Sequence, residues 1–136
     1  MRILILIGIF IATNAFSSGV PTMHKITPEN ATTLGFDLSE IIEESMKAGV
    51  LKYPKSIDGY IVARVQTSLS DLSGHQVTVT SADAVISDDS PSLLFAFSSD
   101  LYDMNICIQY GRIRDGVMYY DRSYCIDSVS NYLITS

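Results

Sequence analysis

Leu38-Ser39-Glu40-Ile41-Ile42-Glu43-Glu44-Ser45-Met46-Lys47-Ala48-Gly49 is the stretch on which the fold turns. Leu38, Ile41, Ile42, Ser45, Met46 and Gly49 recur at spacings of three and four, with Glu40, Glu43, Glu44 and Lys47 between them. That period predicts an amphipathic helix. Asp37, with Glu40 three residues on, has the form of a capping box, and Gly49 supplies a C-terminal stop. Glutamates early and Lys47 late also suit the helix dipole.

Downstream of Pro54 the period falls to two. Tyr60 to Val65 reads as a strand, and Gln76-Val77-Thr78-Val79-Thr80 alternates cleanly. Asp88, Asp89 and Pro91 mark a turn within Ser87 to Ser92, and Leu93 to Phe97 follows as a short apolar run expected to form a central strand. Met104, Ile106, Ile108 and Tyr110 alternate with Asn105, Cys107 and Gln109. Asp115-Gly116, flanked by Arg112-Ile113-Arg114 and Val117-Met118-Tyr119-Tyr120, is a two-residue hairpin signal. A last strand is expected over Val129 to Ile134. The sum is an α+β fold, one amphipathic N-terminal helix packed on a twisted antiparallel β-sheet. Ile42 and Met46 against Phe95, Phe97 and Ile106 form the expected interface, each buried side chain contributing roughly 1.5–3 kcal/mol.

Upstream, Met1-Arg2 is a short positive start, Ile3 to Ala12 is apolar, and Thr13-Asn14-Ala15 brings in small and polar residues. This order is that of a secretory signal over residues 1–15, with cleavage after Ala15 or, alternatively, Ser17. The competing reading is an uncleaved anchor, but roughly 14 apolar residues fall short of the about 20 that a spanning helix needs. Residues 16–33, with Pro21 and Pro28, read as an extended lead-in, and 34–136 as a single domain. Asn30-Ala31-Thr32 matches a glycosylation acceptor, a triplet that chance often produces.

The chain has 136 residues with nine Lys and Arg against fifteen Asp and Glu, a formal charge of -6. That balance argues against duplex nucleic acid or an anionic lipid surface as partner. Two cysteines, Cys107 and Cys125, are an even pair in a chain bound for an oxidising compartment, and a disulfide is the default for them.

Catalytic groupings are thin. Ser70, Asp71 and Ser73 lie near His75 in sequence, but a triad is recognised by geometry, and a solvated loop histidine is the plainer reading. Asp100, Asp103 and Asn105 offer oxygens to a hard cation yet lack the spacing and central glycine of an EF-hand loop, so they read as turn residues. Glu43 and Glu44 read as a solvated helix face. We therefore expect no enzyme, no metal and no cofactor. Tyrosine is the unusual feature: Tyr102, Tyr110, Tyr119, Tyr120, Tyr124 and Tyr132 all follow residue 100, and tryptophan is absent. Rigid rings with a polar tip suit a binding surface, although high β-propensity accounts for them too. Tyr119 and Tyr120, adjacent on a strand, must face opposite sides, and one should be exposed.

Several stretches in order resemble the globular domain of type IVb pilins of Gram-negative bacteria, over about residues 38–136. Glu44 to Leu51 followed by Pro54-Lys55-Ser56-Ile57 is similar to their segment after the long helix. Gly74-His75-Gln76-Val77-Thr78-Val79 resembles their Gly-then-Val-Thr-Val strand. Leu94 to Ser98, the loop to Asp103 and Ile106-Cys107-Ile108 resemble the order that opens their disulfide-bounded region, with Cys125 as partner cysteine. Gly35-Phe36 with Glu40 imitates the pilin cleavage motif, but the charges that follow exclude an apolar fibre-core helix of about 20 residues. The resemblance implies a pilin-like accessory or minor pilin domain of a type IV pilus system. It would be secreted, periplasmic or at the cell surface, acting by adhesion or protein–protein contact with pilus subunits or another envelope or host-surface protein. The expected binding surface is the disulfide-bounded segment with Tyr110, Arg112, Arg114, Tyr119, Tyr120 and Tyr124. A secreted inhibitor or effector with a cystatin-like helix-plus-sheet arrangement is the alternative, on Gln76-Val77-Thr78-Val79-Thr80. A small glycan hydrolase is third.

Overall fold

The computed structural model describes residues 21–42, 44–83 and 90–135. The stretch read as an export signal, Glu43 and the Asp88-Asp89 part of the expected turn lie outside the described residues. Strands dominate: β1 (Thr22–Lys25), β2 (Asp37–Ile42), β3 (Met46–Lys52), β4 (Ser56–Ile57), β5 (Tyr60–Asp71), β6 (Gln76–Asp83), β7 (Ser92–Ser98), β8 (Tyr102–Arg114) and β9 (Val117–Ile126). Among the described residues two short helices accompany them, α1 (Ala31–Leu34) and α2 (Val129–Thr135).

The larger sheet runs β1-β9-β8-β5-β4, with β6 also paired to β5; the smaller runs β2-β3-β7. The period-two alternation of β8 explains its central place. Met104, Ile106, Ile108 and Tyr110 all face the core, where β5 adds Val62 and Val65 and β9 adds Tyr124 and Ile126. The small sheet contributes Leu51, Phe95 and Phe97 to the same cluster, α2 contributes Val129 and Tyr132, and the segment around α1 contributes Ile26, Ala31 and Phe36. Pairing of β1 is parallel to β9, with His24 opposite Tyr124. Residues expected to be an extended lead-in thus hold a sheet strand and a one-turn helix, which Gly35 ends at φ 96°.

The expected helix over 38–49 is a β-hairpin, and the α+β assignment with a helix packed on a sheet is overturned. Strands β2 and β3 pair antiparallel, with Leu38 opposite Leu51 and Glu40 opposite Gly49, and β3 pairs on its other side with β7, Gly49 opposite Phe95. A lone helix of that length is marginal in water, whereas two-sided pairing satisfies the β3 backbone along its length and buries Leu51. Gly49 is no helix stop. A Cβ there would stand 2.6 Å from the Ser39 carbonyl oxygen and 2.7 Å from the Phe95 ring, so its bareness lets that ring cross the strand. Ile42, read as core-facing, is 91% exposed and Met46 is 41% exposed; neither makes the interface expected of it. The helix-plus-sheet arrangement that the cystatin-like alternative drew on is thus not formed by residues 38–49.

Two smaller expectations change. Val129 to Ile134 is helical rather than a strand because the residues before it are a cap. The Ser128 hydroxyl accepts from the Asn131 N–H at 3.1 Å and donates to the Asp103 carboxylate, which also accepts from the Ser130 N–H at 3.2 Å. The apolar run Leu93 to Phe97 lies in β7, at the edge of the small sheet rather than its centre, with Phe95 and Phe97 turned into the core.

Candidate functional site at the end of the long hairpin

Asp115 (φ 52°) and Gly116 (φ 77°) form the expected tight turn between β8 and β9, the left-handed pair that a primed two-residue hairpin requires. The same dipeptide, Asp58 (φ 51°) and Gly59 (φ 84°), turns β4 into β5 alongside. The β8–β9 pairing is interrupted between Tyr110 and Gly111: Tyr110 faces Arg122 and Gly111 faces Tyr120, leaving Asp121 as the extra residue. This bulge re-aims the Asp121 side chain toward the arginines of β8. Gly111 is required there, since a Cβ would stand 1.8 Å from the Tyr119 carbonyl oxygen.

The result is a row of stacked arginines and tyrosines. The Arg112 and Arg122 guanidiniums lie 4.5 and 4.4 Å from the centroid of the Tyr60 ring, and Arg114 lies 4.9 Å from that of Tyr119. Tyr119, directly opposite Arg112, is exposed, whereas Tyr120 is half-buried on the other side of the sheet. There Arg64 lies 4.4 Å over the Tyr120 ring and donates to its hydroxyl at 2.9 Å. Every arginine among the described residues thus sits on a tyrosine ring, an attraction worth about 0.5–1 kcal/mol each at exposed sites.

Carboxylates of the chain occupy two of these arginines. Arg114 Nη2 donates to both oxygens of Asp121, at 3.0 and 3.1 Å, and Arg122 Nη1 donates to Asp58 at 2.7 Å. Hydrogen bonds to the Tyr124 hydroxyl and to Asp58 raise the Arg122 pKa further above its already high value, fixing the charge. Arg112 differs. Its Nε stands 3.8 Å from Asp121, beyond hydrogen-bond reach, and its side chain is 53% exposed.

Of the residues expected to bind, Arg112, Arg114, Tyr119 and Tyr120 are gathered here, while Tyr110 and Tyr124 are core residues. Tyr110 is fully buried, and its hydroxyl donates to the Pro54 carbonyl at 2.7 Å; burial pushes its pKa well above the ordinary phenol value. Tyr124 is buried between the rings of His24, Phe36 and Tyr110. Tyr110 shares the period-two phase of Ile106 and Ile108, and Tyr124 that of Ile126, a signal that would have marked both as inward-facing. Sequence reasoning missed Asp58, Tyr60, Arg64, Asp121 and Arg122. The Asp58-Gly59 dipeptide carries the same hairpin signal as Asp115-Gly116 and would have brought Tyr60 to the site.

The expected disulfide joins Cys107 and Cys125, direct partners on β8 and β9. At the β5–β6 turn, Ser73 Oγ lies 2.8 Å from His75 Nδ1 and 2.6 Å from Asp71 Oδ1. The hydroxyl hydrogen goes to the carboxylate, so His75 Nδ1–H donates to the serine rather than taking its proton. With His75 83% exposed, the arrangement is a solvated turn. Asp103 is engaged by α2, Asn105 donates to Ser68 and Ser70, and no trio of His, Cys, Asp or Glu among the described residues is placed to hold a metal ion. Asn30 of the glycosylation triplet accepts from the Thr27 N–H and donates to the Lys25 carbonyl. Hollows of about 310 and 410 Å³ meet beside Pro28, Glu29 and Tyr132, at the opposite end of β9 from the arginine row. No helix among the described residues is long and apolar enough to cross a membrane.

In comparisons with known proteins, no family model, curated protein or solved structure matches the chain.

Proposed function

We propose that this chain is an exported binding protein, with the arginine–tyrosine end of the β8–β9 hairpin as its working surface. It acts by protein–protein or adhesive contacts rather than by catalysis. The observation that carries the reading is the row itself: arginine and tyrosine are among the residue types enriched at the energetic anchors of interfaces, here held in place by stacking before any partner arrives. Support for export comes from the signal-like order of residues 1–15 and from a disulfide of the kind that persists in oxidising compartments. The resemblance of residues 38–136 to type IVb pilins makes an accessory or minor pilin role in a type IV pilus system the leading assignment, with pilus subunits or another envelope or host-surface protein as partner.

The test is capture of partners from the native cell envelope by the full exported chain, beside an Arg112→Gln/Tyr119→Ala variant. Recovery of pilus subunits by the native chain and their loss with the variant supports both surface and role. Equal recovery by the two chains overturns the surface, and recovery of partners without any pilus component overturns the pilus role.

A further inference from the structure

Three arginines share the face of the hairpin that carries Tyr60 and Tyr119, and they are not equivalent. Arg114 holds Asp121 through two hydrogen bonds, and Arg122 holds Asp58. Both therefore already spend a donor nitrogen on the chain's own carboxylates, Arg114 its Nη2 and Arg122 its Nη1. Arg112 stands between them in the row with its guanidinium pinned on the Tyr60 ring, half exposed, and donates no hydrogen bond to any described residue. Its one carboxylate neighbour is Asp121, met as an ion pair at 3.8 Å without a hydrogen bond, so its donors are oriented and charged but not hydrogen-bonded.

We propose that Arg112 is the anchor of a carboxylate site, and that its ligand is an acidic peptide segment of a partner protein. This deepens the surface assignment above and rests on it. The ring geometry decides the class of ligand. Sugars bind aromatic residues by laying a ring face on theirs, but two guanidiniums already lie over Tyr60 and one over Tyr119. What the surface offers is the guanidinium fork, which matches a carboxylate in plane and spacing. An acidic side chain on Arg112 would stand beside Asp121, so Asp121 is the internal competitor of the site: it neutralises Arg114 and repels the incoming charge.

The probe is a short synthetic peptide of alternating Asp and Glu, compared with the same peptide in Asn and Gln, with a sulfated polysaccharide and with inorganic phosphate. Each is titrated against the full oxidised chain at low and at physiological ionic strength. The acidic peptide is expected to bind, its amide counterpart not. Arg112→Gln should weaken binding about tenfold or more, the loss expected for a charged hydrogen bond. Arg112→Lys, which keeps the charge and loses the fork, should recover only part of it. Asp121→Asn should strengthen binding, a gain that no loss of folding produces. Lys52→Gln, the same charge change on the small sheet, should leave binding unchanged.

Equal weakening by Arg112→Gln and Lys52→Gln means general charge attraction and overturns the proposal. Binding of the polysaccharide or of phosphate in place of the peptide overturns the ligand class. Where no probe binds while the Arg112→Gln/Tyr119→Ala variant still loses its native partner, the carboxylate site falls and the surface stands. Where that variant keeps its partner, both fall.

Discussion

Cys107 and Cys125 stand directly opposite one another on β8 and β9, so their bond crosses a ladder that backbone hydrogen bonds also hold. The loop they close is the hairpin whose far end carries the arginine row, and the sequence separation is 18. A closure of that size removes about 3 kcal/mol worth of chain entropy from the unfolded state. The Cys107→Ala/Cys125→Ala variant should therefore lose roughly 2–3 kcal/mol in urea unfolding while keeping its β-sheet circular dichroism. A loss near zero would mean that the unfolded hairpin stays paired without the bond.

Tyr110 couples the long strand to the chain before β4 through its hydroxyl and the Pro54 carbonyl. Tyr110→Phe leaves that carbonyl without the bond and should cost about 1 kcal/mol. The folded-state phenol is raised above its unfolded value near 10 by desolvation first, so its contribution is fully present below about pH 10 and is lost as pH rises beyond it. Alkaline unfolding of the native chain should thus set in at lower pH than that of Tyr110→Phe, each measured against its own neutral stability. Parallel curves for the two chains would contradict this.

Gly111→Ala drives a methyl group into the Tyr119 backbone at the bulge. Neither backbone can withdraw without breaking the register that aims Asp121 at Arg114, so we expect a loss of more than about 3 kcal/mol. Gly116→Ala, with open space around it but a left-handed φ, should cost about 1 kcal/mol. The ratio of the two losses in denaturant titrations checks the bulge directly, and equal losses would deny it.

Asp71 holds the β5–β6 turn by accepting the Ser73 hydroxyl and the Ser73 and His75 N–H groups, and the first of these is foremost in lowering its pKa. A lowered carboxyl contributes above its unfolded pKa near 4 and loses that contribution as pH falls through the folded value. Protection of the β6 amides, corrected for the intrinsic slowing of exchange in acid, should fall as pH drops, and Asp71→Ala should show the same low protection already at neutral pH. Asp71→Asn, which keeps an acceptor oxygen, should lie between.

What the residues disclosed follows from how local each signal is. Strict alternation at Met104 to Tyr110 and at Gln76 to Thr80, and the Asp115-Gly116 turn, are decided within a few residues, and each formed as read. The stretch 38–49 carries the helical period alone, Leu38 and Ile42 four apart, since the charged Glu40 breaks any alternating apolar row between them. What selects the strand is Phe95, some fifty positions away, waiting for Gly49. The disulfide was legible from compartment and parity, and half of the site from clustered tyrosines. Tyr60 follows a turn signal at Asp58-Gly59 that is local, whereas Arg122 came to the row through sheet register, which no local pattern encodes.

His24 lies against Tyr124, stacked at 4.7 Å, in a parallel pairing that joins one of the first described strands to the last. No chain that stops short of Tyr124 makes that contact. A polypeptide emerging from a ribosome or threading through a narrow pore has Tyr124 still to come when His24 appears. The β1 seam therefore closes only after the residues of β9 are free to pair with it, which makes it one of the least local contacts of the sheet.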